Sequence, residues 1–274
     1  MSIQDIDPPT QAPVLEVRGI TKRYGHVEAL RGVDLVVPPA TVVGLIGDNG
    51  AGKSTLAKIL SGAEQPDSGE LLLRGERTTL ATPVAAHAAG IETVFQDLAL
   101  APDLDAASNL FLGRERRRTG PLGWLGWLDR SGMRREASEA FERLGVQIKD
   151  VTGPIASYSG GQRQGVAVAR SAFWAHTVLL LDEPTAALGV VQTGQVLQLI
   201  RRVRDSGIAV VLISHNMPDV LAVCDRITVL RLGRRVSDLS VEEATTERLV
   251  ADMTGASIAD DPRTANIDCE AGST

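Results

Sequence analysis

Gly47-Asp48-Asn49-Gly50-Ala51-Gly52-Lys53-Ser54 decides the fold, because it fits the phosphate-binding pattern G-x-x-x-x-G-K-[ST]. Gly47, Gly50 and Gly52 lack Cβ atoms, so the backbone can wrap closely around an anion. Its N–H groups then point inward and cradle phosphates. Lys53 reaches the terminal phosphates, and the Ser54 hydroxyl can hold Mg²⁺. The context agrees. Residues 42–46 are an apolar, β-branched run, and Lys53–Leu60 is a good helix. Strand, glycine loop and helix N-terminus together make an anion site. The chain has only 4 lysines against 24 arginines, so a lysine at this position by chance is not expected.

Outward from this loop, strand-like and helix-like segments alternate. Residues 14–24 and 27–37 have strand character around Gly25-His26, 41–47 feed the loop, and 70–74 with 77–80 read as a hairpin about Gly75. A short helix over 83–89 precedes a strand over 91–95 that ends at Gln96. From 97 to about 170 the strand signal vanishes. Helices are expected there over 106–112, over 131–144 and from Ser159 onward, with an irregular Arg-, Gly- and Trp-rich link over 114–127. Then come an apolar strand at 177–181, a helix over Val190–Asp205, a buried strand at 208–213 and a helix at 218–224. Strands at 226–232 and 235–238 and a closing helix over 241–254 complete the chain. This alternation predicts a parallel α/β core, and the strandless middle predicts a helical insert.

The chain has 274 residues, enough for one large domain or one domain with a subdomain. It is 43% hydrophobic and 23% charged, values of a soluble globular protein. A net charge of −6 argues against nucleic acid as the main partner. No apolar run approaches the length that spans a membrane. Residues 1–13 are acidic and Pro-rich without an apolar signal core, and a disordered N-terminus and a cytoplasmic location are expected. Residues 256–274 read as a flexible tail. Cys224 and Cys269 are too few for a disulfide framework, and Cys224 reads as a small buried residue of an amphipathic helix.

Two further elements carry chemistry. The apolar run ending in Asp182-Glu183-Pro184 sets two carboxylates at the C-terminal edge of a sheet, where α/β folds bind ligands. Asp182 can hold Mg²⁺, and Glu183 is the candidate base that orients or polarises an attacking water. Alone, such a pair is as often surface turn chemistry; beside a phosphate loop the functional reading is favoured. Ser159-Gly160-Gly161-Gln162 precedes an Ala/Val-rich helix, with Ser159 as N-cap and two glycines leaving the helix terminus bare to an anion.

Together these pieces resemble the nucleotide-binding subunit of ATP-binding cassette (ABC) transporters, over residues 14–255. Six elements stand in the family's order: Tyr24, the 47–54 loop, Gln96, Ser159–Gln162 of the signature, Leu181-Asp182-Glu183-Pro184 and His215. The resemblance implies an α/β P-loop ATPase domain with a helical subdomain, about 97–170, and an antiparallel β subdomain. It implies an ATPase with ATP and Mg²⁺ as cofactors. Tyr24 then stacks on adenine, and Gly47, Asp48, Asn49, Gly50, Ala51, Gly52, Lys53, Ser54 and Thr55 bind the phosphates. Ser54, Gln96 and Asp182 contact Mg²⁺, Gln96 also the attacking water. Lys53, Glu183 and His215 are catalytic, with His215 at the γ-phosphate. Ser159, Gly160, Gly161 and Gln162 bind the ATP held by the opposite subunit. Read singly, Tyr24 is an ordinary strand-end aromatic, His215 a satisfied polar residue, and Gln96 says nothing. Two positions depart from the family: Tyr158 replaces a Leu, with little effect expected, and Gly189 replaces an Asp of a loop that contacts the other subunit.

Phe95-Gln96-Asp97-Leu98-Ala99-Leu100, Asn109-Leu110-Phe111-Leu112-Gly113-Arg114-Glu115 and Ser214-His215-Asn216-Met217 resemble importers of monosaccharides such as ribose, xylose or fructose, in their single-cassette form. The resemblance implies membrane permease subunits as partners, a homodimer in the ATP-bound state, an indirect link to a periplasmic-type sugar-binding protein, no nucleic acid, and a peripheral place on the inner face of the cell membrane. The sugar is not legible, and no regulatory domain is expected beyond Gly255. Within the insert, 96–115 is expected to dock on the permease through exposed Leu98, Leu100, Leu104 and Leu110, with Trp124 and Trp127 as anchors. The arginines at 114–118 read as a solvated link. A regulatory or nucleic-acid-associated cassette is the alternative; intact Glu183 and His215, and the lack of a basic surface, argue against it.

Overall fold

The computed structural model describes residues 12–120, 124–148 and 151–256. The expected disordered termini lie largely outside these residues, as does Cys269. Ten strands and eight helices are used below: β1 (Leu15–Tyr24), β2 (Val27–Val37), β3 (Val42–Gly47), α1 (Lys53–Leu60), β4 (Ser68–Leu73), β5 (Glu76–Thr78), α2 (Pro83–Ala88), β6 (Ile91–Val94), α3 (Ala106–Leu110), α4 (Arg130–Leu144), α5 (Gly160–Trp174), β7 (Val178–Asp182), α6 (Val190–Asp205), β8 (Ala209–Ile213), α7 (Met217–Val223), β9 (Arg226–Arg231), β10 (Arg234–Ser240) and α8 (Thr246–Thr254).

A six-stranded sheet, in the order β10-β9-β3-β8-β7-β6, forms the centre. β3, β6, β7, β8 and β9 run parallel, and β10 closes the edge antiparallel. Parallel strands covered on both faces must be apolar on both, and β3 and β8 are buried along their whole length. The two-residue pleat divides their side chains between two cores. Val42, Ile46, Leu179, Leu181, Val210 and Leu212 face the insert with α6 and α7. Val43, Leu45, Val178, Leu180, Val211 and Ile213 face α1 and a second sheet. That sheet is antiparallel, in the order β2-β1-β4-β5. Each fully buried Val, Leu or Ile contributes about 1.5–3 kcal/mol, so both faces are needed to hold the sheet.

The register sets every parallel strand end at one edge. Val94 lies opposite Leu181, Asp182 opposite Ile213, and Leu45 also opposite Ile213. The loops after β3, β6, β7 and β8 therefore converge, and they carry the phosphate loop, Gln96, Asp182-Glu183 and His215.

The insert packs α3, α4 and α5 around buried Phe111 and Phe141. The wholly buried Asn109 ties down the stretch after Gln96. Its Oδ1 accepts from Ala101 N at 2.7 Å, and its Nδ2 donates to the carbonyls of Ala101, Leu104 and Asp105. The closing helix differs from expectation. It starts at Thr246, because the Thr245 hydroxyl caps it by accepting from Arg248 N at 3.2 Å, while Val241 N bonds back to Asp225 O at 3.0 Å in a turn. Cys224 is buried as expected, but it caps α7 in extended backbone instead of lying within the helix. There burial pushes its thiol far above the ordinary range.

Candidate active site

β3 delivers the phosphate loop pressed against its neighbours. A Cβ on Gly47 would sit 2.2 Å from the Leu230 carbonyl oxygen, and one on Gly52, at φ +105°, 2.7 Å from that of Ala29. Glycine is required at both for close backbone approach. Gly52 caps α1 without a side-chain hydrogen bond, which leaves the first N–H groups of the helix to an anion. Ser54 stands exposed in that first turn. Lys53 Nζ donates to the carbonyls of Gly47 at 2.6 Å and Asp48 at 3.0 Å. Burial lowers the Lys53 pKa, and the fields of Glu183, Asp182 and Asp48 oppose that shift. The ammonium and both strand-end carboxylates therefore share one site.

Across the edge, β7 ends in Asp182, and Glu183 follows in the left-handed region at φ +52°. A non-glycine residue there is costly, of order 1–3 kcal/mol, and persists only where its surroundings hold it. The Glu183 N–H donates to the Ile213 carbonyl of β8 at 2.9 Å, which fixes it. Its Oε1 lies 2.7 Å from His215 Nδ1. The carboxylate is largely covered, 16% exposed, while the ring is 71% exposed. Glu183 thus orients a histidine whose ring is otherwise largely exposed. Burial, then the neighbouring Glu183, raises the Asp182 pKa, with Lys53 pulling the other way.

Gln96 lies two residues past β6 at the same edge, exposed. Tyr24 ends β1, half-exposed, with its hydroxyl bonded to Glu64 and interacting with Thr55 of α1, so it stands beside the start of that helix. Lys53, Asp182, Glu183 and His215 are brought together, with Gln96 and Tyr24 on the rim.

The signature is not. Ser159 caps α5 in a reciprocal box: Ser159 Oγ accepts from Gln162 N at 3.3 Å, and Gln162 Oε1 from Ser159 N at 3.0 Å. A Cβ on Gly161 would meet Gln192 Cγ at 2.4 Å, so the first turns of α5 and α6 are in contact. Ser159, Gly161 and Gln162 line a hollow with Val146, Gln192 and Leu199, apart from Lys53. Gly189 caps α6 at φ −74° and ψ 165° with no side-chain hydrogen bond, a conformation any residue adopts. Val190 and Val191 beside it are exposed.

Sequence reasoning missed a charge cluster built on a buried carboxylate. Glu92, the one charged residue of β6, pairs with His87 at 3.0 Å and Arg114 at 2.7 Å. Arg114 also stacks 4.8 Å from the Trp174 ring, so the first arginine of the supposed solvated link is fastened between core and insert. The one charge in a short strand between Ile91 and Val94 was the available signal. These residues line a cleft of about 750 Å³ between core and insert. The four leucines expected to be exposed divide: Leu110 is buried, Leu98 and Leu100 pack half-buried on the core, and Leu104 is exposed. In α3, Leu110 faces the core instead of solvent.

Comparison with known proteins identifies the family and the fold. A family described as ABC transporter matches residues 30–186. The fructose import ATP-binding protein FrcA of Rhizobium meliloti is 49% identical over 90% of this chain and 95% of its own. The xylose/arabinose import ATP-binding protein XylG of Sulfolobus acidocaldarius is 42% identical over 88% and 94%. The ribose import ATP-binding protein RbsA 1 of Rubrobacter xylanophilus is 43% identical, and the chain spans 48% of its length. Among solved structures, the ADP conformation of an ATP-binding cassette of an ABC transporter has a TM-score of 0.74 at 23% identity, covering 93% of this chain and 98% of that one. A dimeric bacterial ABC transporter cassette has 0.68 at 24%, covering 83% and 98%. These likenesses carry the fold. The chain belongs to the ABC transporter family.

Proposed function

We propose that this chain is the ATP-hydrolysing subunit of an importer for a monosaccharide of the fructose, xylose or ribose kind, peripheral on the inner face of the membrane. The observation that carries the reading is the convergence of Lys53, Asp182, Glu183 and His215 at one sheet edge, with Glu183 and His215 at 2.7 Å. The names and coverage of the relatives support the substrate class.

In this reading residues 14–255 form the ATPase domain, with 97–170 as its helical subdomain. Tyr24 stacks on adenine, and residues 47–55 hold the phosphates. Ser54, Gln96 and Asp182 suit Mg²⁺, which binds through few carboxylates plus phosphate oxygens. Asp182 fits that role because its burial beside Glu183 disfavours its charge until a cation offsets it. When bound, the ion neutralises charge on the phosphates. Lys53 adds a second positive charge where charge builds up in the transition state. Glu183 accepts the proton of the attacking water as its oxygen bonds the γ-phosphorus and the bond to the leaving diphosphate oxygen breaks. His215, oriented through Nδ1, donates from its other ring nitrogen to the γ-phosphate.

The signature of one chain lies away from its own phosphate loop, which supports a head-to-tail dimer in which Ser159–Gln162 complete the partner's site. The cleft at Glu92, Arg114 and Trp174 takes the permease, and a periplasmic-type binding protein supplies the sugar from the other side. Net charge −6 supports no role for nucleic acid. The test is uptake of labelled fructose, xylose and ribose in a strain lacking the chain. Restoration by the parent chain and not by a Glu183→Gln variant is expected for one of the three. Unchanged uptake of all three in the deletion strain overturns the substrate class.

A further inference from the structure

Residues 116–120 and 124–129 form an arm on the insert. Arg118 N donates to Trp127 O at 2.8 Å, Asp129 N to Arg116 O at 2.8 Å, and Arg117 bridges Leu128 antiparallel. Its root is fixed. Leu128 packs on the main core, Arg116 pairs with Glu136 at 2.7 Å, and Asp129 caps α4 by accepting from Gly132 N at 3.0 Å. Its end is apolar and uncovered: Trp124 is 95% exposed, Leu125 74% and Trp127 58%. Soluble surfaces seldom carry such a group without use.

The charge around it is the reverse of the chain's. Between 114 and 135 stand seven arginines against two carboxylates, Glu115 and Asp129, in a chain of net charge −6. Arg114, Arg116 and Arg134 are held by Glu92, Glu136 and Asp105. Arg117, Arg118, Arg130 and Arg135 are exposed, and none has a carboxylate within ion-pair distance among the described residues. Two tryptophans and a leucine offer roughly 500 Å², less than the roughly 800 Å² a stable protein interface needs from each partner. They do suit the bilayer interface, where amphipathic Trp rings concentrate at the headgroup level. Exposed arginines beside them match an anionic leaflet, each worth about fivefold in affinity near such a surface.

We infer that this arm is a membrane-surface contact of the chain itself: Trp124, Leu125 and Trp127 enter the headgroup region, and Arg117, Arg118, Arg130 and Arg135 engage anionic lipid. This contact goes beyond docking on a permease, and vesicle binding reads it without permease or nucleotide.

The full chain is mixed with phosphatidylcholine vesicles with and without phosphatidylglycerol, and binding is read by co-sedimentation and by tryptophan emission. Binding to the anionic vesicles with a blue shift is expected, weakened by salt. The triple variant Trp124→Ser, Leu125→Ser, Trp127→Ser should lose about tenfold or more in vesicle affinity and the shift, and Arg117→Glu with Arg118→Glu should lose a similar factor. Unchanged ATP hydrolysis in each variant shows that it is folded. No binding of the parent chain to anionic vesicles overturns the inference. So does triple-variant binding equal to the parent's, or a triple variant that binds vesicles normally yet no longer copurifies with the permease, which would assign the tip to a protein partner.

Discussion

Replacing Glu183 by glutamine separates proton transfer from orientation. The amide keeps the size of the side chain, and its oxygen can keep the 2.7 Å contact to His215 Nδ1 when that nitrogen carries the proton. The backbone stays fixed, because the bond that holds it in the left-handed region comes from its own N–H to Ile213 O. Glu183 also repels Asp182 and attracts Lys53, so removing its charge relieves one carboxylate and leaves nucleotide affinity unchanged or tighter. A general base contributes about 10²–10⁴-fold, or roughly 3–5.5 kcal/mol of barrier. If Glu183 only orients His215, glutamine should cost less than about tenfold, roughly 1.4 kcal/mol. The assay is phosphate release at saturating ATP, with ATP affinity titrated in parallel and size exclusion used to look for an accumulated ATP-bound dimer. The expected outcome is a loss of at least about a hundredfold in turnover with affinity retained. Turnover within about tenfold of the parent would refute the base assignment.

Four further outcomes are expected. Lys53→Ala should weaken ATP binding about a hundredfold by titration, since a charged donor is lost; unchanged affinity would remove Lys53 from the phosphate site. Gly47→Ala drives a methyl into the Leu230 carbonyl 2.2 Å away and should cost about 1–3 kcal/mol in urea unfolding, together with nucleotide affinity; a midpoint equal to the parent's would contradict the packing. Asp182 has a folded pKa above its ordinary value of 3.8, so its protonated form is the one folding favours, and that contribution is lost as pH rises through the folded pKa. Asp182→Asn should therefore raise the melting temperature of the nucleotide-free chain at neutral pH and give no gain in acid, read by thermal unfolding across pH; a lower melting temperature at neutral pH would reverse the sign. Leu112→Glu, at an exposed position lining the cleft beside Arg114, should leave ATP hydrolysis by the isolated chain intact while reducing copurification with the permease; normal copurification and transport would move that interface elsewhere.

Local chemistry wrote most of the elements. β2 and α6 fall on the residues expected, because apolar period and length suffice to define a strand or helix of that size. The phosphate loop is equally legible, since its glycines, lysine and serine stand in one short pattern, although the backbone its glycines clear, at Leu230 and Ala29, comes from elsewhere in the chain. Helix ends were harder: α8 waits for the Thr245 hydroxyl, and the adjacent Thr245 and Thr246 give no sign of which hydroxyl will cap. The site's residues could be named from the sequence, yet their meeting could not. Glu183 and His215 are 32 positions apart and touch only because β7 and β8 are neighbours in register. The burial of Glu92, the clamp on Arg114 and the inward turn of Leu110 are also tertiary facts. Each depends on which surface another element covers, and that choice is made by summed burial across the whole sheet, which no short window of sequence contains.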